Sequence, residues 1–477
     1  MQRLIAAVLV VFCTLAAAAQ PASTDLLDRV YAAVKKADPN GKYDGKLYSY
    51  STTNALTGDW LWQTPKVWGA RPNEVVPYGH YGNALATDLS KIIGNATSTV
   101  DISTLYPAPD GFFQGNIVAG LKGAMAKGHH LTVRILVGHF TDRFDATTYL
   151  SNLRKDIGLP DKGSLSIYAA GQKVGIKTWN HSKIVSVDGR VAIVGGHNLW
   201  PVDVLGPQPV HDLSMRVSGP AAAAADKFLD VLWAHVCYWN GHGVYPNYSR
   251  HWQTGRDTID NTCLSTLVLP APIKPGSVAV LGVARAPGVV PDGGDLANPS
   301  DAAMIAAFEA ATKSIKISQQ DLVLGTYSPR VVVALAQALE RNVNIEVVLT
   351  NYMAKAGNGG LLAYSTGATR TMAIELMRLA MKHHTKLHDG EISRRLRNKF
   401  HIYTLRFGPA DAIKWDNGFP FANHAKMFVI DDRLFYIGSS NLYPADHEEY
   451  GYFVQDAVAT KTLLNEYWNP MWRWSAR

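Results

Sequence analysis

The chain has 477 residues, 47% of them hydrophobic and 18% charged, with a formal net charge of +7. That length allows two or three average domains, or two large halves sharing an interface, and a core big enough that folding does not depend on disulfides. After the first 19 residues no stretch reaches the roughly 18 apolar residues a spanning helix needs, which excludes a helical membrane protein.

In chain order, residues 1–19 read as a secretory signal. Arg3 supplies the positive end, Leu4 to Leu15 the apolar run, and Ala17, Ala18 and Ala19 a small-residue cleavage site before Gln20. An uncleaved anchor is the alternative; the expected location is extracellular. Cys13 leaves with the signal, so Cys237 and Cys263 remain. In an exported protein a bridge between them is expected to contribute on the order of 3 kcal/mol; two buried thiols are the other reading. Asn95 and Asn247 open glycosylation sequons.

Ala96 to Ser103 predicts a strand, followed by a helix-like stretch and the strand Val133 to Val137. Ala311 to Ser318 repeats that order, ahead of the strand Ile345 to Leu349. This alternation predicts α/β layers in two similar halves, 20–265 and 301–477. Residues 266–300, with Pro270, Pro272, Pro275, Pro287, Pro291 and Pro299, read as a linker. Between Arg378 and Lys399 seven Lys or Arg face only Asp389 and Glu391. That segment is either a solvated helix face or a patch for anionic lipid or nucleic acid.

One string appears twice. The first copy is Asn180-His181-Ser182-Lys183, then Asp188, Gly195 and Asn198. The second is Asn423-His424-Ala425-Lys426, then Asp431, Gly438 and Asn441. Both keep the spacing His-x-Lys-x4-Asp-x6-Gly-x2-Asn. The run after each histidine is β-prone, and Asp188-Gly189 is a hairpin signal. Residues two apart on a strand share a face, so each histidine and lysine point the same way. Gly196 and Ser439 follow the next strand, where a small residue lets a ligand approach backbone N–H groups.

If the halves pack about a pseudo-twofold axis, one pocket receives two imidazoles, two ammoniums and two amides. One imidazole can attack phosphorus while the other protonates the departing oxygen. The lysines offset phosphoryl charge and the asparagines donate hydrogen bonds. There is no His-Glu-x-x-His, Cys-x-x-Cys or EF-hand loop, so no metal or cofactor is expected. Asp212 and Glu449 each open a strand and are candidates to orient the histidines. Asp188 and Asp431 lie at turns and are expected to be structural.

The two strings resemble the paired signature of the phospholipase D superfamily. Asp59 to Pro65, Gly94 to Ser103, Trp179 to Lys183, Ile317 to Leu322 and Phe435 to Pro444 make the chain similar to its secreted, actinobacterial-type members. The resemblance implies two α/β/α-sandwich halves with one site between them, and cleavage of the headgroup–phosphate ester of glycerophospholipids. His181 would be the nucleophile that forms a phosphohistidine, and His424 the general acid and then the base. Lys183, Lys426, Asn198, Asn441, Gly196 and Ser439 would hold phosphate, and an alcohol in place of water would give headgroup exchange. Glu449 stands where those relatives tend to have Asp, and His197 where they have an apolar residue, which bears on headgroup choice.

The expected partner is phospholipid at a membrane or micelle surface, met by a monomer, with no nucleic acid. The alternatives are a nuclease or other phosphodiesterase of the superfamily, supported by the basic segment, and a catalytically silent lipid-binding protein. Trp415, Phe419, Phe421, Trp468, Trp472 and Trp474 are either lipid-facing or core.

Overall fold

The computed structural model describes residues 25–69, 80–139, 144–158, 165–174, 178–239, 252–254, 263–289, 298–322, 329–354, 370–409, 413–442 and 447–477. The expected signal and the sequon at Asn247 lie outside them. Asn95 is exposed, beside Lys127.

Residues with alternating or continuous apolar character build strands β1 (Tyr48–Asn54), β2 (Leu61–Thr64), β3 (Thr99–Leu105), β4 (Leu131–Gly138), β5 (Leu165–Gln172), β6 (Ile184–Val187), β7 (Val191–Gly195), β8 (Asp212–Ser218) and β9 (Trp252–Thr254). They continue as β10 (Val278–Arg285), β11 (Ser314–Ser318), β12 (Asn344–Leu349), β13 (Phe400–Thr404), β14 (Met427–Ile430), β15 (Leu434–Gly438) and β16 (Glu449–Gln455). One sheet has the order β2-β8-β7-β6-β3-β4-β5-β9 and the other β1-β10-β16-β15-β14-β11-β12-β13. Six consecutive strands of one therefore match six of the other. In both, three parallel strands (β3-β4-β5, β11-β12-β13) join a hairpin and a last strand that run antiparallel. The chain is a mixed α/β fold of two similar halves.

Parallel strands covered on both faces are rich in apolar residues; β4 is apolar apart from Thr132 and Arg134, and β12 apart from Asn344 and Glu346. The first sheet packs its outer face on helices 80–94, 111–125 and 146–157. The second packs on helices 25–37, 299–310, 329–340 and 370–384. A third core lies between the sheets, where Leu213, Met215, Met427 and Ile437 meet helix 220–239 and the C-terminal helices. Cys237, on helix 220–239, is bonded to Cys263 (Cα–Cα 5.4 Å). No helix among the described residues is long and apolar enough to cross a membrane.

The halves drawn from the sequence are corrected at two places. Residues 266–300 contain β10, which pairs with β16 along its whole length. The flanking prolines masked a run, Val278 to Ala284, that is almost entirely apolar. Residues 25–54 belong to the second half: β1 pairs with β10, and Leu26, Leu27, Val30 and Val34 sit in that half's core. Trp415, Phe421 and Trp468 are core residues of the inter-sheet cluster, while Phe419, Trp472 and Trp474 stay half-buried. The basic segment forms helices 370–384 and 389–399. The second of these is tied to the turn before β12 through Arg395 to Asn342, and Lys386, between the two helices, donates its N–H to Glu340 (2.7 Å) at the end of helix 329–340. The histidine string meets the opposite end of β12, where Asn423 N–H donates to Thr350 (3.0 Å). The basic charges are thus a solvated face remote from the site.

Candidate active site

Each histidine lies just before a strand rather than in it, because its backbone pairs with the other half. His181 N–H donates to Glu448 O (2.8 Å), and Glu448 N–H donates to Trp179 O (3.2 Å). In the same way His424 N–H donates to His211 O (2.7 Å), and His211 N–H donates to Ala422 O (2.9 Å). Glu448 and His211 immediately precede the two carboxylates, so each bridge delivers an acid to the opposite histidine. Glu449 Oε1 and Oε2 stand 3.0 and 3.1 Å from His181 Nδ1, and Asp212 Oδ2 stands 2.7 Å from His424 Nδ1. The sequence reading named both carboxylates without this exchange between halves.

Nδ1 of each ring is held by a carboxylate, so Nε2 is the atom that can turn toward substrate; the backbone of Ser439 also bonds to His181 and that of Gly196 to His424. The rings are 6.4 Å apart, centroid to centroid, and nearly perpendicular (82°). Lys183 Nζ donates to His181 O (2.6 Å), and Lys426 Nζ donates to His424 O. Each ammonium is thereby folded back toward its own histidine. Asn198 and Asn441 are buried, and Asn198 Oδ1 has no hydrogen-bond partner among the described residues.

Burial dominates the electrostatics. It holds His181 well below its usual value, aided by Lys183, Lys426 and His424, and His424 likewise, aided by both lysines. Burial also pushes Lys183 down to about 7 and Lys426 to about 8, against the attraction of Glu449 and Asp212. Asp212 and Glu449 are raised by burial, opposed first by Lys426 and Lys183 respectively. Both imidazoles therefore rest neutral, as a nucleophile requires, and each is held by a hydrogen bond rather than by an ion pair.

A pH profile follows. For a monomeric phosphodiester, kcat/KM should fall as pH rises through about 7 to 8, where Lys183 and Lys426 lose their protons. Toward acid it should go on rising, because His424, neutral in the free enzyme, must take up a proton to act as the acid, and it should fall only where His181 is itself protonated, well below 6.5. A bound phosphodiester anion favours charged lysines, so the limb in kcat should lie higher. Activity that climbs from pH 7 to 9 contradicts this assignment. The same Lys183 shift makes the unfolded chain bind more protons between about 7 and 10.5, so its contribution to stability increases with pH across that window.

Two sequence expectations are corrected. Gly196 and Ser439 do not offer N–H groups to phosphate, because those groups donate to Leu213 O (2.8 Å) and Tyr450 O (3.0 Å). They serve the carboxylates instead. A Cβ at Gly196 would overlap Asp212 Oδ1, and Ser439 Oγ donates to Glu449 Oε2. His197 is buried, with Thr64 Oγ1 and Ser214 Oγ each 2.7 Å from a ring nitrogen.

Asp188 accepts from Thr97 N–H, Thr97 Oγ1, Ser98 N–H and Thr99 N–H at 2.8–2.9 Å. Asp431 accepts from the matching Thr312, Lys313 and Ser314. Both take positive φ (55° and 52°), a conformation aspartate tolerates. These aspartates clamp the hairpin to the neighbouring strand's start and touch neither imidazole. Asp188→Ala, at a buried site, should cost about 2–4 kcal/mol in urea unfolding, with kcat per folded molecule nearly unchanged. A collapse of kcat at unchanged stability would assign Asp188 to chemistry.

The sequence reading missed the asparagine that opens each string. Asn180 Nδ2 donates to Ser103 Oγ (2.8 Å), and its Oδ1 accepts from Ser182 N–H (3.1 Å). Asn423 makes the matching bonds to Ser318 Oγ (3.0 Å) and from Ala425 N–H (3.2 Å). Its recurrence in both copies was the available signal. His447, beside the His181 ring, was also missed, and nothing in the repeat marks it.

Phospholipase D of Streptomyces antibioticus is 32% identical over 506 aligned positions, covering 96% of this chain and 89% of that enzyme. The chain belongs to the phospholipase D family. Residues 304–472, which include the second string, match the family described as "Cardiolipin synthase, PLD-like domain". Among solved structures, phosphatidylserine synthase of Haemophilus influenzae superposes with a TM-score of 0.54 at 13% identity, over 93% of this chain and 91% of that one. At that identity the likeness concerns the fold. The chain is an enzyme, a phosphodiesterase of the phospholipase D type.

Proposed function

We propose that this phospholipase D cleaves the headgroup–phosphate ester of glycerophospholipids through a phosphohistidine on His181. His181 Nε2 attacks phosphorus, and the headgroup oxygen leaves with the proton of His424 Nε2. Water then gives a proton to His424 and its oxygen attacks phosphorus. The N–P bond breaks and phosphatidic acid is released. An alcohol entering in place of water yields the exchanged phospholipid. Lys183, Lys426, Asn198 and Asn441 stabilise the phosphoryl oxygens. Binding of the anionic diester favours the protonated form of His424, which supplies the acid for the first step.

The observation that carries this reading is the pair of imidazoles 6.4 Å apart, each held at Nδ1 by a carboxylate from the other half. Both strings lie in one chain, which supports action as a monomer on a membrane or micelle surface. The nuclease alternative rested on the basic segment, and the position of that segment at the far end of β12 from the histidine string counts against it. Export after removal of residues 1–19 is part of the proposal, supported by the pattern Arg3 to Ala19.

The test compares choline release from phosphatidylcholine vesicles with cleavage of single-stranded DNA, both in EDTA. Choline release without DNA cleavage is expected. DNA cleavage alone overturns the lipid assignment, and loss of choline release in EDTA overturns metal-independent action.

A further inference from the structure

Every group assigned above occurs twice, so the site is nearly symmetric and the repeat does not say which histidine takes phosphorus. The residues two positions before each histidine and each carboxylate break the symmetry. On the His424 side they are Ala422 and Val210, which with Ala354 form a small buried apolar cluster. On the His181 side they are Trp179 and His447. The Trp179 and His447 rings are 4.2 Å apart and tilted by 35°, and the His447 ring lies 5.3 Å from that of His181, tilted by 36°.

The backbone bridge at Asn180 and Glu448 explains the placement. Residues 179 and 181 share one face of an extended segment, and 447 and 449 of the paired segment lie on that same face, so His447 flanks the nucleophile as Glu449 holds it. His447 is 7% exposed, and its Nδ1 has no hydrogen-bond partner among the described residues. Burial lowers it to about 3, with His181, Lys183 and Arg285 adding to the shift and Glu449 opposing it. It is therefore a neutral ring at any working pH and neither gives nor takes the reaction's protons. A neutral ring in this place can limit how far the His181 imidazole tilts away from phosphorus.

We propose that His447, backed by Trp179, is a positioning residue that fixes the His181 ring for attack. The inference rests on the phosphohistidine reading above.

The test uses the full-length enzyme and a 4-nitrophenyl ester of phosphatidic acid, whose leaving group needs no proton. Rapid mixing separates the burst of nitrophenol, which reports attack by His181, from the steady rate, which reports hydrolysis of the intermediate. His447→Val, which copies the residue on the other side, should slow the burst about tenfold, with KM unchanged and a smaller effect on the steady rate. His447→Phe, which keeps a ring but no nitrogen, should hold the burst within about threefold of wild type. Burst amplitude counts folded sites, so a poorly folding variant loses amplitude rather than rate. A His447→Val burst as fast as wild type overturns the proposal, as does a His447→Phe burst as slow as that of His447→Val. Full turnover by wild-type enzyme with no adduct trapped on any histidine overturns the phosphohistidine reading instead.

Discussion

Replacing His181 with alanine is expected to lower turnover of phosphatidylcholine by about four orders of magnitude or more, the loss typical of removing a covalent nucleophile. The substitution takes away the only ring whose Nε2 is backed by Glu449. His424→Ala should be equally severe on choline esters, because choline leaves as an alkoxide unless His424 protonates it. On the 4-nitrophenyl ester the two variants should part. His424→Ala should still release a burst of nitrophenol and then stall, whereas His181→Ala should release none. A burst retained in His181→Ala would mean that another group attacks phosphorus.

The second large effect concerns the carboxylates. Asp212→Asn and Glu449→Gln are each expected to cost about 10³- to 10⁴-fold on phosphatidylcholine, since an amide lacks the carboxylate's charge and can turn its NH2 toward Nδ1, which favours the wrong tautomer. Because the pairs cross between halves, the phenotypes should cross as well. Glu449→Gln, in the second half, should abolish the nitrophenol burst by disabling His181. Asp212→Asn, in the first half, should keep the burst and block hydrolysis by disabling His424. Should Asp212→Asn lose the burst and Glu449→Gln keep it, each carboxylate would serve the histidine of its own half. Melting temperatures of both variants are needed alongside, because removing charge from a buried carboxyl can also alter stability.

Much of the site was legible because it is written twice. His181, Lys183, His424 and Lys426 stand out by spacing, and the strands around them by apolar alternation. The exchange of carboxylates was not legible. It depends on Glu448 pairing with Asn180, and on the His181–Glu449 contact across 268 residues of chain, and no local pattern encodes a pairing between halves. The role of Gly196 was misread for a similar reason, because only the sheet register shows that its N–H is already used. Strand β10 was hidden by the prolines on either side of it. Trp415 and Phe421, in a Gly/Pro-rich stretch that reads as surface, are drawn into the core by Phe407 at 5.4 and 5.0 Å.

The site of covalent attachment tests the account most directly. His424→Ala enzyme, mixed with the 4-nitrophenyl ester and quenched in alkali to preserve phosphoramidate bonds, can be digested and the adduct located by mass spectrometry. A phosphatidyl group on the peptide carrying His181, at close to one per active site, is the predicted result. Wild-type enzyme with the same ester should carry it on His181 too. An adduct on His424 in the wild type, or full turnover with no adduct on any histidine, would contradict the mechanism.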